Sequence, residues 1–311
     1  MHTLIYSVLP VFIIVALGYI ARKLNFFKAS WIDALIGYVY YIALPALIVT
    51  SIVNLDYGSS NVGGVLVWNM VFLVASAVVC LLFMNLVQIK HKDRAVFFLA
   101  AIVGNTIYLG IPLATSVLDV DFGGGGYALL VLIGVIQLVG SIFIALVVNE
   151  FLFVGNKHIK SIVVRLAKNP LVIAICVGIL FAVLPLTESV SDVAMRPLVM
   201  LAASASPVAL FVLGTYLYGH AFKASFYEIT MVTIWKLAVV PLFALGITAV
   251  MQPTDFVANG MILFASMPTA VTALIIAKSY KFNTDFIAAT ILVGTIISIA
   301  TISMIILYLG L

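Results

Sequence analysis

Two polar stretches interrupt otherwise apolar segments of this chain: Gly104-Asn-Thr-Ile-Tyr-Leu-Gly-Ile-Pro-Leu113 and Ser266-Met-Pro-Thr-Ala-Val-Thr272. Proline removes a backbone hydrogen-bond donor and clashes with the preceding helical turn. Glycine, asparagine, serine and threonine are also poor residues for the interior of a helix. Both stretches are therefore predicted to break a helix, and the rest of the fold is predicted outward from these two breaks.

The composition predicts a membrane protein. Hydrophobic residues make up 65% and charged residues 8% of the 311 residues, and the mean hydropathy is +1.31. A helix needs about 20 mostly apolar residues to span a bilayer. The prediction is an all-α polytopic protein of ten transmembrane helices in the lipid bilayer, with nothing left over for a soluble domain. The ten apolar segments cover approximately residues 4–21, 34–54, 62–88, 95–118, 127–149, 169–187, 197–219, 227–250, 256–277 and 286–309.

The basic residues predict the orientation. Of the 15 lysines and arginines, 13 lie in the loops that follow odd-numbered segments. Because basic loops stay cytoplasmic, the odd loops are predicted to be cytoplasmic and both termini to be outside. The net charge of +4 then follows from topology and implies no nucleic-acid partner. The 13 residues are Arg22, Lys23, Lys28, Lys90, Lys92, Arg94, Lys157, Lys160, Arg165, Lys168, Lys223, Lys278 and Lys281.

The prolines indicate a weak internal repeat. Segments 2 and 4 contain Pro45 and Pro112, and segments 7 and 9 contain Pro207 and Pro268 at nearly the same offsets. Each half of the chain is therefore predicted to have a proline in its second and fourth helix.

The repeat predicts the organisation of the chain. One half covers residues 1–153, the other covers residues 169–311, and a cytoplasmic loop at 154–168 joins them. Since five helices is an odd number, the second half must enter the membrane from the opposite side. An inverted repeat of this kind is typical of secondary transporters.

The two breaks also predict a binding site. Broken helices at corresponding positions of two halves are typical of a substrate site in transporters. The N-termini of half-helices offer free N–H groups and the positive end of a dipole, which suit an anion such as a carboxylate. The predicted site consists of the polar residues Asn105, Thr106, Ser266, Thr269 and Thr272, the helix-breaking Pro112 and Pro268, and Lys236, which would supply a full positive charge from within segment 8.

Plainer interpretations of these residues exist. A single proline in a membrane helix is more often a kink than a binding element. Lys236 could snorkel towards a membrane surface or pair with a helix C-terminal carbonyl. Asn69 and Gln137, which lie within segments 3 and 5, are predicted to form interhelical hydrogen bonds.

Enzyme chemistry has no support in the sequence. Cys80 and Cys176 lie in the middle of apolar segments, where buried structural thiols are expected. The four histidines lie near segment ends or in loops and form no metal-ligand pattern. The sequence therefore predicts a protein that is not an enzyme and needs no metal or other cofactor.

Several motifs resemble the auxin efflux carrier family. They are residues 104–113, Leu44-Pro-Ala-Leu47, Ser206-Pro-Val-Ala-Leu-Phe-Val-Leu-Gly214, and Lys236-Leu237 followed by Pro241. The loop at 154–168 is short, as in the bacterial members named as malate and malonate permeases, whereas plant auxin carriers have a long loop there. The resemblance therefore implies a permease of the bacterial inner membrane.

The resemblance also implies a fold, which the family shares with bile-acid sodium symporters. In that fold a scaffold of helices 1, 2, 6 and 7 supports a transport domain of helices 3–5 and 8–10, and helices 4 and 9 cross at their breaks. It further implies a homodimer formed through the scaffold. Sodium-coupled relatives of the fold have acidic residues near the crossing, but segments 4 and 9 contain no Asp or Glu. Facilitated diffusion, proton coupling and exchange are all open.

The function expected from residues and resemblance together is secondary transport of small organic anions. Dicarboxylates such as malate or malonate, moved by elevator-like alternating access, are the first hypothesis. The second is an amphipathic aromatic anion resembling auxin, or a bile-acid-like anion. A hypothesis of a different class is a non-transporting membrane receptor or assembly subunit, which would want a soluble domain or long interaction loops.

Overall fold

The computed structural model describes residues 9–55, 62–122, 124–154, 164, 167–184, 188–218 and 226–311, and within these ranges the chain is helical, without a strand. Part of the predicted loop 154–168 and the residues Lys157, Lys160, Arg165 and Lys223 lie outside the described residues. The described helices are α1 Leu9–Lys23, α2 Ala29–Val53, α3 Val62–Leu86, α4 Arg94–Ile102, α5 Thr106–Val117, α6 Gly125–Phe153, α7 Pro170–Val183, α8 Glu188–Leu217, α9 Phe226–Met251, α10 Asp255–Ala265, α11 Thr272–Ser279 and α12 Thr284–Leu309.

Six of the described helices contain a stretch long and apolar enough to cross a membrane. These are α2, α3, α6, α9, α12 and the Met195–Leu217 part of α8. The helices α5, α7 and α10 are apolar but shorter. The predicted all-α class is thus confirmed, and the apolar lengths agree with a protein that crosses a membrane several times.

Both predicted helix breaks are confirmed. Segment 4 is divided into α4 and α5, and segment 9 is divided into α10 and α11. The connections, residues 103–105 and 266–271, contain the Gly-Asn and Ser-Met-Pro-Thr sequences that disfavour a helix. Segments 4 and 9 are therefore each a pair of half-helices in the structure.

Three prolines are each preceded by a π-helical turn. The turns cover Val39–Ala43, Thr106–Gly110 and Trp235–Val239, and each ends two residues before Pro45, Pro112 or Pro241. Proline cannot donate to the carbonyl four residues earlier and would clash with it. A π turn widens the helix at that point and accommodates the missing bond. One of these three turns, Trp235–Val239, contains Lys236.

Two glycines let α1 and α8 pack backbone against backbone. A Cβ at Gly18 would overlap the carbonyl oxygen of Phe211, and a Cβ at Gly214 would overlap that of Val15. Small residues of this kind are what allow close helix approach inside membranes. The α1–α8 contact is among the most extensive between the described helices, and α2 packs against both α7 and α8.

The ends of helices that precede or follow odd-numbered loops lie together. The Tyr227 hydroxyl at the start of α9 donates to the Val87 carbonyl after α3, at 2.8 Å. The Tyr280 hydroxyl after α11 donates to Glu150 near the end of α6, at 2.9 Å. The Arg22 guanidinium at the end of α1 lies 5.8 Å from the ring centre of Tyr218 after α8. The predicted grouping of the odd loops at one end of the molecule therefore agrees with these contacts.

Candidate functional site

The two broken segments meet at their breaks. Residues 103–105 and 268–270 run antiparallel, with Gly104 paired to Thr269. The Asn105 N–H donates to the Pro268 carbonyl at 2.7 Å, and the Ala270 N–H donates to the Val103 carbonyl at 3.0 Å. The backbone groups released by one break are thus satisfied by the other, which is what allows both breaks to lie inside the protein.

Three of the predicted polar side chains near the crossing donate to backbone carbonyls, and one of them links the two broken segments. The Thr269 hydroxyl donates to the Ala100 carbonyl of α4 at 2.9 Å, and the Thr106 hydroxyl donates to the Gly134 carbonyl of α6 at 3.0 Å. The Ser266 hydroxyl donates to Ile262 in its own helix, at 2.7 Å. These hydroxyls have used their single donor on the protein and can offer a ligand only their acceptor lone pairs.

Two other predicted residues keep an unused polar group. The Asn105 Nδ2 and the Thr272 Oγ1 are buried and have no hydrogen-bond partner. Asn105 directly precedes α5 and Thr272 is the first residue of α11, so each lies at the N-terminus of a half-helix. An unsatisfied buried polar group costs about 1–3 kcal/mol. Asn105 and Thr272 thus each keep an unused polar group at the start of a half-helix.

The Lys236 ammonium lies against the first break. Lys236 is 5% exposed, and a Cβ placed on Gly104 would be 2.9 Å from its Nζ. Lys236 borders a cavity of about 20 Å³. A cavity needs at least about 10–15 Å³ to hold one water, so this one has room for about one. The cavity is lined by Phe72, Leu73, Ser76, Ala101, Ile102, Gly104, Thr106, Gln137, Lys236, Val240, Phe264 and Ala265.

Comparison with known proteins decides the family. The sequence profile described as membrane transport protein matches residues 3–306. The chain belongs to this family. The transporter is thus a multi-pass integral membrane protein, and its resemblance to the auxin efflux carriers is confirmed.

Its relatives have several names. An uncharacterized transporter of Methanocaldococcus jannaschii is 24% identical over an alignment that covers 96% of each chain. A Rhizobium meliloti protein named "Putative malonate transporter" is 27% identical over an alignment that covers 95% of this chain and 92% of its own. A mouse protein named "Lysosomal cholesterol signaling protein" is 26% identical over an alignment that covers 94% of this chain and 36% of its own.

The transporter has a polar pair beside the Lys236 cavity. The Gln137 Nε2 donates to the Asn69 Oδ1 at 3.1 Å, and the Asn69 Nδ2 donates to the Val65 carbonyl at 2.8 Å. The predicted interhelical hydrogen bond between α3 and α6 is therefore confirmed. Sequence reasoning did not predict that Gln137 also lines the cavity with Lys236, because this depends on how α6 is rotated against α9.

A second cavity of the transporter is apolar and was not predicted. It has a volume of about 220 Å³ and lies between α2, α3, α6 and α7. Ser51, whose buried hydroxyl has no hydrogen-bond partner, borders this cavity and also a neighbouring one of about 100 Å³. The smaller cavity is bordered by the polar side chains of Thr50, Asn54 and Tyr127. Ser51 thus lies between an apolar cavity and a smaller cavity with polar side chains.

The cysteines of the transporter differ from each other. Cys80 is buried, as predicted, but Cys176 is exposed, so its prediction as a buried thiol is wrong. Cys176 lies on the face of α7 that does not pack against α2, and an apolar segment alone does not reveal which face is covered. In the described part of the chain, no three His, Cys, Asp or Glu side chains are grouped so as to hold a metal ion.

Proposed function

We propose that this transporter is a secondary carrier of small organic anions, and that its substrates are dicarboxylates such as malate or malonate. The supporting observation is the crossing of the two broken segments. The two breaks pair with each other, and α5 and α11 start directly after them. Half-helix N-termini carry about half a positive charge each, which favours a carboxylate. The relative named as a putative malonate transporter supports the same class of substrate.

The predicted site residues have distinct roles in this proposal. The unused Asn105 Nδ2 and Thr272 Oγ1 donate to the substrate. Thr106, Ser266 and Thr269 maintain the breaks and offer acceptor oxygens. Pro112 and Pro268 terminate the regular helix, and Lys236 contributes positive charge to the crossing from α9.

The proposed architecture has ten spans arranged as two inverted five-helix halves, residues 1–153 and 169–311. The helix contacts support it, because the first helix of each half packs against the second helix of the other: α1 against α8 and α7 against α2. These four helices correspond to the proposed scaffold, and the remaining helices to the proposed transport domain. The domains would move relative to each other in an elevator cycle, with a homodimer formed through the scaffold.

The proposed location is the inner membrane of a bacterium, with both termini outside. The basic residues support this orientation, because the odd loops contain 13 of the 15 lysines and arginines. The short loop at 154–168 supports a bacterial permease rather than a plant carrier.

A second candidate is an amphipathic anion of the auxin or bile-acid type. The apolar cavity of about 220 Å³ that Ser51 borders favours it, since small-molecule sites are mostly apolar with a few polar groups. The mouse relative named as a lysosomal cholesterol signaling protein is a second supporting observation for an amphipathic ligand.

Uptake into proteoliposomes tests both candidates. Labelled malonate or malate should accumulate in vesicles that contain the purified protein, and unlabelled malate should compete. Indole acetate should compete poorly. Strong competition by indole acetate together with no uptake of dicarboxylates would replace the first candidate with the second. Imposed pH and sodium gradients, applied one at a time, identify the coupling ion.

A further inference from the structure

The half-helices α4 and α10 end beside Lys236. Their last residues, Ile102 and Ala265, both line the small cavity that Lys236 borders. The other carbonyls of the last turn of α4 accept hydrogen bonds: Leu99 from Val103, Ala100 from Thr269, and Ala101 from the Trp235 indole. Within the described residues, the Ile102 and Ala265 carbonyls are not acceptors in any hydrogen bond outside the helices. The C-terminal ends of two half-helices therefore border one small cavity.

The helix ends at this cavity attract the ammonium on balance. A helix C-terminus is equivalent to about half a negative charge and an N-terminus to about half a positive charge. The cavity is bordered by the last residues of two half-helices, Ile102 and Ala265, and by the first residue of one, Thr106. The Lys236 ammonium carries one positive charge. No carboxylate of the described residues lines the cavity, and its polar side chains are those of Ser76, Thr106 and Gln137. The gap between ammonium and wall holds about one water, which can carry a hydrogen bond to a carbonyl.

We infer that Lys236 is a tethered cation, whose ammonium lies beside the C-termini of α4 and α10 and fills the place that a free monovalent cation could occupy there. This inference rests on the proposed transport function of the crossing. The ammonium keeps the two C-termini together and thereby keeps the N-termini of α5 and α11 in position to bind an anion. Lys236 is thus a positioning residue and does not itself contact the substrate. The carrier consequently needs no sodium ion.

Gly104 provides space for the Lys236 ammonium. A Cβ at Gly104 would be 2.9 Å from the Lys236 Nζ and 3.7 Å from its Cε, and its remaining contact is Thr106 Cγ2 at 3.7 Å. Gly104 has no positive φ, so its backbone conformation accepts an alanine. A Cβ at Gly104 would therefore make the Lys236 ammonium shift, whereas its two next nearest atoms would be at ordinary contact distance.

The first experiment measures anion uptake by proteoliposomes. Wild-type uptake should be the same with sodium as with choline as the external and internal cation. Lys236→Ala should reduce uptake about tenfold or more, the change expected when a charge-assisted contact is removed. Methylammonium should restore uptake of Lys236→Ala in a saturable way, because it can enter the space that the side chain has left. Tetramethylammonium, which is too large, should not.

Two further variants make the test specific. Asn105→Leu, which removes a proposed substrate contact, should lose uptake and should not respond to methylammonium. Gly104→Ala should impair uptake when Lys236 is present, yet add little further loss in the Lys236→Ala background. Such non-additivity is expected of residues in direct contact.

Thermal unfolding in detergent covers the case in which Lys236→Ala is too unstable to reconstitute. Methylammonium should raise the unfolding temperature of Lys236→Ala and leave that of the wild-type protein unchanged, since a ligand stabilises only a fold that binds it.

The results separate this inference from the proposed function. If the wild-type protein transports no carboxylate, the proposed function is refuted, whereas stabilisation of Lys236→Ala by methylammonium still supports the tethered cation. If the wild-type protein transports carboxylates but requires sodium, the inference is overturned. It is also overturned if Lys236→Ala is inactive with and without methylammonium and gains no thermal stability from it.

Discussion

Replacing Asn105 by leucine should abolish transport while leaving the fold almost as stable as before. Asn105 is 2% exposed and its Nδ2 has no hydrogen-bond partner. Its hydrogen bond to the Pro268 carbonyl comes from the backbone N–H, which leucine also has. The substitution therefore removes a side-chain donor that the fold does not use.

The expected stability change follows from two opposing effects. Removing an unsatisfied buried donor relieves a penalty of about 1–3 kcal/mol. Placing a bulkier apolar side chain in the same space costs about 1–3 kcal/mol. The effects oppose each other, so the free energy of unfolding should change by about 2 kcal/mol or less, while uptake should fall to background because the substrate loses its donor.

Asn69→Leu is the matched control. Asn69 is also fully buried, but its amide bonds both the Val65 carbonyl and Gln137. Leucine there leaves the Gln137 Nε2 without a partner, which costs about 1–3 kcal/mol. Each kcal/mol corresponds to about 2–4 °C in unfolding temperature for chains of 150–250 residues. Asn69→Leu should therefore unfold several degrees lower and yet transport at a measurable rate.

The assay is uptake per correctly inserted molecule, read beside the unfolding temperature of the same preparation. Normal uptake by Asn105→Leu would show that the crossing is a hinge and that the substrate binds elsewhere. A lower substrate affinity in Asn69→Leu than in Asn105→Leu would likewise move the site towards α3 and α6.

The remaining predictions concern packing, orientation and the apolar cavity. Gly214→Leu should lower stability by about 1–3 kcal/mol because its Cβ would strike the α1 backbone, whereas Gly246→Leu, whose Cβ meets nothing within 4 Å, should change little in the same thermal scan. An impermeant maleimide applied outside should label a cysteine at Gly125 and not one at Asn156, and the reverse pattern would invert the orientation. Ser51→Ala should leave the unfolding temperature unchanged, since its hydroxyl has no partner, and a drop of several degrees would contradict that description.

The helix breaks could be predicted from sequence because their causes are local. Pro112 and Pro268 each remove a donor, and the glycine, asparagine, serine and threonine around them weaken the helix whatever surrounds it. The same local chemistry explains the π turns before Pro45 and Pro241. The overall helix pattern was predictable for a similar reason, since the length of an apolar run is a property of the chain itself.

The sequence could not predict which polar side chains form hydrogen bonds within the protein, because this depends on the helices that pack against them. Thr106 and Thr269 have spent their donors on Gly134 and Ala100, which are 28 and 169 residues away in sequence. Asn105 and Thr272 look no different in the sequence but keep an unused group. Only the packing of α4, α6 and α11 distinguishes the two kinds.

The crossing brings the ends of half-helices close to Lys236 in a chain that has no acidic residue in segments 4 and 9. The last residues of α4 and α10 and the first residue of α5 border the cavity of Lys236, whereas Thr272 at the start of α11 does not. A free carboxylate at the C-terminal side would add to the negative helix ends and would need a bound cation. A lysine there offsets those negative ends from within the chain, and in the proposed function the N-termini of α5 and α11 then bind the anion. The placement of one lysine thus substitutes for both an acidic cluster and the ion that such a cluster would bind.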